Sequence, residues 1–154
     1  MGKMGGSYGR FAAMIATSIV IMYGLMYLNT YQLDHVYYSQ TRMWMALYMG
    51  AVMAVIMLGF MLNMYKNSRT NLGILIGSAV VFAGALYLVR AQTTVGDVAW
   101  MKAMIPHHSI AILTSERAQI KDPRVRDLAD GIIETQRREI AEMKALITDL
   151  ESKR

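Results

Sequence analysis

Met104, His107 and His108 stand within five consecutive residues, Met104-Ile105-Pro106-His107-His108. On a helix, residues three and four positions apart are neighbours, so the Met104 thioether can approach either imidazole. Thioether with imidazole suits a soft ion, Cu(I) or its chemical surrogate Ag(I), whereas Mg²⁺ and Ca²⁺ want oxygen. A structural reading competes with this one. Methionine at helical spacing fills cores, a seam histidine is ordinarily a hydrogen-bonded core residue, and adjacent histidines point about 100° apart, so one of the pair belongs to a given site. Pro106 adds weight to function, because an interior proline frees the Lys102 carbonyl and costs about 3 kcal/mol unless its kink is used.

Two helices must position these residues. The chain breaks at Gln92-Thr93-Thr94-Val95-Gly96-Asp97, where Thr94 with Asp97 has the spacing of a capping box and Gly96 resists continuous helix. A fourth helix is expected from there to about Ile120. Asp122-Pro123 supplies an N-cap followed by proline at the first helical position, and a fifth helix is expected to about Glu151. Val98, Met101, Ile105, His108, Ile112, Ser115 and Gln119 form a seam on the fourth helix, and Val125, Ala129, Ile132, Gln136, Ile140, Met143, Ile147 and Leu150 form one on the fifth. A tight turn at Lys121 and Asp122 would set Met104 opposite Glu139, His108 opposite Gln136 and Met101 opposite Met143. Glu139 could orient an imidazole N–H from that position.

Ahead of this hairpin lie three uncharged apolar runs, Phe11 to Leu28, Met43 to Tyr65 and Leu72 to Val89. Each is about long enough to cross a hydrocarbon core of roughly 30 Å. A cleaved signal peptide is the weaker reading of the first run, since Tyr23, Tyr27 and Tyr31 stand where small residues should mark a cleavage site. Lys3 and Arg10 precede the first run, and Lys66 and Arg69 lie between the second and third, so both places are expected to be cytoplasmic and the hairpin outward. Tyr27, Tyr31, Tyr37, Tyr38, Trp44 and Tyr87 would gather at the outer interface, and Tyr65 at the inner one.

Charge excludes some classes of partner. The formal net charge is +5, but residues 1–91 carry six Lys/Arg and one Asp, while residues 92–154 carry ten Lys/Arg and ten Asp/Glu. The hairpin is neutral and its charges alternate, so no basic patch for nucleic acid is expected. The chain has no cysteine, which fits an oxidising outward compartment. No enzyme is expected: there is no Gly-rich phosphate loop or cysteine nucleophile, Ser109 beside His108 is poorly placed for activation, and neither helix holds the Glu-x-x-His of di-iron bundles.

Other residues invite weighing. Met45, Met49, Met53, Met57 and Met61 recur every fourth residue, as a Cu(I) relay would need. Such a stripe winds by about 40° per step, and methionine is an ordinary membrane residue. Ala46, Gly50 and Ala54, and Gly73 with Gly77, fit close helix packing. His35, after Asp34 in the loop between the first two runs, could complete a site or be an exposed loop histidine.

The pattern Asp97-x-x-Trp100-Met101-x-x-Met104-Ile105-Pro106-His107-His108-x-x-Ala111-Ile112, then Val125-x-x-Leu128-Ala129-x-x-Ile132 and Gln136-x-x-Glu139-Ile140-x-x-Met143, resembles the bacterial family called "domain of unknown function 305" over roughly residues 96–150. Members are similar to ferritin-like helical bundles, are often exported, and several are associated with copper or silver binding and tolerance through Met and His. The resemblance implies metal binding at Met104, His107, His108 and Met143, with Met101 and Glu139 as secondary candidates. Many members have two helical pairs where this chain has one, which implies assembly between chains. A hairpin of about 55 residues also buries little core by itself.

The expectation is therefore an all-α chain of two domains. Residues 1–91 form three transmembrane helices, and residues 92–154 form an extracytoplasmic antiparallel hairpin resembling half of a ferritin-like four-helix bundle. It would sit in the bacterial inner membrane with a cytoplasmic N-terminus and bind Cu(I), with silver as surrogate, for copper tolerance or homeostasis. The expected partners are lipid, the metal ion and further copies of the chain. The alternative is an assembly module whose hairpin oligomerises without metal.

Overall fold

The structure, a computed structural model, describes residues 7–153; Lys3, used above for orientation, lies outside them. The described elements are α1 (Tyr8–Leu25), a 3₁₀ turn at Leu33–His35, α2 (Gln40–Phe60), α3 (Ser68–Ala91), α4 (Asp97–Arg117) and α5 (Pro123–Ser152). The chain is all-α, with no strand among the described residues. With 18, 21 and 24 residues, α1, α2 and α3 are long and apolar enough to cross a membrane.

These helices and the apolar runs differ at their ends, because hydropathy marks lipid-compatible stretches while caps mark helix ends. Asn67 caps α3, accepting the amides of Arg69 and Thr70 at 3.1 Å each, so α3 begins ahead of the apolar run at polar Ser68. At the other end of the second run α2 stops at Phe60, and residues 61–64 continue as turns.

The described chain divides into two compact units. One holds α1 with residues Thr41–Thr94; the other holds Met26–Gln40 with the chain from Val95 onward. In the first unit Phe11, Ala54, Leu58 and Tyr65 are buried together, with Met57 and Met61 packed beside them. Ala46, Gly50 and Ala54 are buried as close packing requires. A side chain at Gly50 would collide with that of Ile19 on α1, so glycine permits that approach. Gly73 and Gly77 have no such neighbour: a Cβ at either meets open space.

The second unit is built on the α4/α5 hairpin. Asp122 caps α5, accepting the Arg124 amide at 2.9 Å, and Pro123 follows at the first turn. The capping box does not form, since Gly96 is the N-cap of α4 and no side chain bonds there. Met101, Ile105, Ile112, Ile140, Met143 and Ile147 are buried as one cluster. Tyr31 and Tyr37, partly buried, pack against it. Val125 and Ile132, expected on the seam, are 48% and 37% exposed, and Ile133 packs on the cluster.

Candidate metal centre

The helix α4 runs unbroken through Pro106, which is fully buried. Proline lacks the N–H that would close on the Lys102 carbonyl, so packing of the ring stabilises this turn. On either side of it, the six candidate residues separate into three settings.

Met101 and Met143 are 5% and 6% exposed inside the hairpin core, and the partly buried Met104 packs against the cluster that holds them. The three thioethers thus share one apolar cluster. His108 is half-buried, and its two ring nitrogens are both engaged. Nδ1 lies 3.0 Å from the Met104 carbonyl oxygen and Nε2 lies 2.8 Å from Glu139 Oε2. A carbonyl oxygen and a carboxylate oxygen can only accept, so the ring bonded in this way donates from both Nδ1 and Nε2. It is the backbone carbonyl of Met104 that this ring bonds. His107 is exposed, and its ring stands edge-on to His108 with centroids 6.2 Å apart. Its nitrogens have no hydrogen-bond partner among the described residues.

The register differs from the tight-turn expectation, because His108 meets Glu139 rather than Gln136. Lys102 pairs with Glu151 at 2.6 Å, and Arg137 with Glu116. The helix α4 stops at Arg117 and residues 118–122 make a wider connection, so the partners on α5 lie further toward its C-terminus than a tight turn would set them. The shift is three residues at His108 and about ten at Lys102 and Glu116.

His35 is not an exposed loop residue. It is 6% exposed, ends the 3₁₀ turn, and places Nδ1 2.9 Å from Ser109 Oγ. The fully buried Ser109 hydroxyl also accepts the Tyr31 backbone N–H at 2.6 Å. The hydroxyl can at the same time donate its own proton to His35 Nδ1, an arrangement that puts the ring proton on Nε2. Burial pushes the His35 imidazole below its ordinary range, and the nearby Lys144 charge pushes the same way, with Asp34 opposing them. The Lys144 ammonium donates to Asp34 Oδ2 at 2.5 Å, and that hydrogen bond holds the Asp34 carboxyl below the usual range. Arg137 stands over the Tyr31 ring, 5.9 Å from its centroid.

Residues 26–40 therefore dock on one flank of the hairpin through Ser109, Lys144 and Arg137. Sequence reasoning passed over this docking and dismissed Ser109. Its serine–histidine pair resembles a nucleophile and base, but the hydroxyl is sealed from solvent and ties down a loop amide. His35 bonds the Ser109 side of α4, and Met104, His107 and His108 lie toward the other flank. No three His, Asp or Glu side chains gather into a metal-holding group among the described residues. The soft donors on offer are thus thioether and imidazole.

The family model described as Domain of unknown function (DUF305) matches residues 86–152, taking in both hairpin helices and the last turns of α3. The chain is also similar to Uncharacterized protein L153 of Acanthamoeba polyphaga mimivirus, 35% identical over 104 residues, covering 63% of this chain and 68% of that protein. That stretch is longer than the hairpin, so the likeness takes in residues ahead of it. No solved structure matches. With a hairpin that carries the Met-Ile-Pro-His-His and Gln-x-x-Glu-Ile-x-x-Met elements on facing helices, the chain belongs to the DUF305 family.

Proposed function

We propose that this chain is a membrane-anchored binder of a soft transition-metal ion, Cu(I) with Ag(I) as its surrogate, and that its hairpin captures the ion for copper tolerance or homeostasis. One observation carries the reading: His107 is exposed and its ring nitrogens have no hydrogen-bond partner among the described residues, on the flank of α4 that also holds Met104. A solvated imidazole beside a half-buried thioether is ready to bind a soft ion and needs no core to open.

His108 fits the same chemistry. Its Nδ1–H bond to the Met104 carbonyl orients the ring in the manner of metal-binding histidines, and Nε2 becomes the ligand nitrogen once it gives up the proton it shares with Glu139. Glu139 now occupies Nε2, so metal at His108 requires the carboxylate to turn aside, after which it neutralises part of the ion's charge. Met101 and Met143 stand behind Met104 as further sulfur donors that reach the ion by rotamer change, which unbranched methionine allows. The role is binding and transfer rather than catalysis.

The three apolar helices serve as the anchor. Their lengths, the uncharged runs, and exposed side chains such as Val20 at 70%, Val80 at 66% and Phe60 at 88% suit contact with lipid. Positive charge at Arg10, Lys66 and Arg69 supports a cytoplasmic N-terminus and α2–α3 connection, with the hairpin on the periplasmic side of a bacterial inner membrane.

Competitive Ag(I) titration of the full-length protein in detergent tests this. Wild type should bind tightly and Met104→Leu/His107→Ala should lose most of that affinity while keeping its helical circular dichroism. Equal binding by the variant would move the site to the α2 methionines, and no binding by wild type would end the metal reading.

A further inference from the structure

Between the docked residues 26–40 and the hairpin lies a cavity of about 490 Å³, wholly within the second unit. On α5, Arg137, Ala141 and Lys144 follow at spacings of four and three and share one face, a cation at each end and a small side chain between them. The two cationic residues are thus about 10 Å apart along the helix axis. Gln32 and His35 line the cavity from the docked segment, and the buried Ile112 and Ile140 line it from the core. The lining includes no Asp or Glu.

Three of the lining residues hold donors that the described protein does not use. His35 is buried, its Nδ1 is taken by Ser109, and its Nε2 has no hydrogen-bond partner among the described residues. Asp34 Oδ1, 3.9 Å from Nε2, is too far to accept from it. A buried donor without an acceptor is uncommon and calls for one. Lys144 gives a single ammonium proton to Asp34 Oδ2, and Arg137 gives Nη2 to Glu116, so its Nε and Nη1 have no hydrogen-bond partner among the described residues. Asp34 and Glu116 hold these cations from outside the cavity lining. The Asp34 side chain is 64% exposed, and a pair so open to water is weak enough for another carboxylate to replace it.

We infer that this cavity binds a short organic dicarboxylic acid between Lys144 with His35 at one end and Arg137 at the other. One carboxylate takes the place of Asp34 on Lys144 and, from the cavity side, accepts the His35 Nε2–H that Asp34 does not reach. The second accepts the unused donors of Arg137, whose planar fork suits a carboxylate. The carbon chain between them crosses Ala141, where a larger side chain would fill the space. One carboxylate for each cation preserves the charge balance that Asp34 and Glu116 now provide. The acid would touch both the docked segment and α5, so it would stabilise their contact. This site is separate from Met104, His107 and His108 and does not rest on the metal reading.

Calorimetric titration of the full-length protein in a neutral detergent, at constant ionic strength and without added metal, tests this with succinate, glutarate and adipate. Wild type is expected to bind at least one of the three saturably, and to bind butyrate, which has a single carboxylate, about tenfold more weakly or worse. Arg137→Gln and Lys144→Gln change side chains outside the core and should keep the helical circular dichroism. Each is expected to lose about tenfold or more in affinity. Exchange at the Tyr31 amide gives a second readout, because the acid binds the docked form alone. At about a hundred times its dissociation constant it should slow that exchange about a hundredfold in wild type. No saturable binding of any of the three acids overturns the proposal, as does wild-type affinity in either helical variant. Butyrate binding as tightly as the best dicarboxylate overturns the two-ended arrangement, and binding that leaves Tyr31 exchange unchanged overturns this cavity as the site.

Discussion

Replacing Ser109 with alanine should release residues 26–40 from the hairpin while leaving the hairpin itself folded. The hydroxyl is fully buried and serves the Tyr31 N–H at 2.6 Å and His35 Nδ1 at 2.9 Å. Each buried group left unmade costs about 1–3 kcal/mol. Tyr31 is only partly buried, so its amide falls at the low end, and the pair together lose roughly 2–4 kcal/mol. What remains is the packing of Tyr31 and Tyr37 and the Asp34–Lys144 pair; Asp34 is largely exposed, and such a pair contributes about 1 kcal/mol or less. Hydrogen exchange at the Tyr31 amide in the full-length protein reads the difference. Its rate should rise by roughly 30-fold to 1000-fold in Ser109→Ala, and by less than about tenfold in Asp34→Asn. An unchanged Tyr31 rate in Ser109→Ala, or a larger effect from Asp34→Asn, would refute the assignment of Ser109 as the anchor.

The same loop should respond to acid. The folded state lowers the affinity of His35 for protons below that of the unfolded chain, whose ordinary value is 6.5, so the docking is fully present above that pH and weakens as pH falls through it. The protection factor at Tyr31, the measured exchange rate corrected for the intrinsic rate at each pH, should fall from pH 8 to pH 5 in wild type and stay flatter in His35→Gln; parallel curves would remove His35 as the cause. In the other unit, Gly50→Leu should disrupt the packing of α1 on α2, because even a Cβ there collides with Ile19. Its thermal midpoint in detergent should drop, while Gly77→Leu, which meets open space, should be neutral. Ile105→Ala, at a fully buried position in the hairpin core, should cost about 2–5 kcal/mol by denaturant unfolding. A loss under about 1 kcal/mol would show that the cluster is not the hairpin's core.

Elements with local signals were legible in the sequence. Asp122-Pro123 marks the start of α5 to the residue, because an N-cap and a proline with fixed φ act within one turn. The all-helical class and the three long apolar helices follow from uncharged runs that need no partner to be recognised. Thr94 with Asp97 misled, since spacing alone cannot say whether the chain enters the helix at a threonine or at Gly96. Register was the next loss: it depends on where α4 stops, and a five-residue connection moved His108 from Gln136 to Glu139. Least legible was the partnership of His35 with Ser109, 74 residues apart in sequence. A single serine and a single histidine have no periodicity, and only the fold brings them together. The six metal candidates all lie on the one hairpin, but the sequence could not divide them into a buried thioether cluster, a carboxylate-bound imidazole and one with no hydrogen-bond partner among the described residues.

X-ray absorption at the silver edge of the Ag(I)-loaded full-length protein tests metal capture by the hairpin most directly, because it reads the ligand atoms themselves. Capture by Met104 with His107 and His108 gives a mixed first shell of sulfur and nitrogen, and the nitrogen disappears in His107→Ala/His108→Ala. A shell of sulfur alone in wild type would contradict capture by the histidines, and a shell of oxygen and nitrogen without sulfur would contradict soft-metal binding by this hairpin.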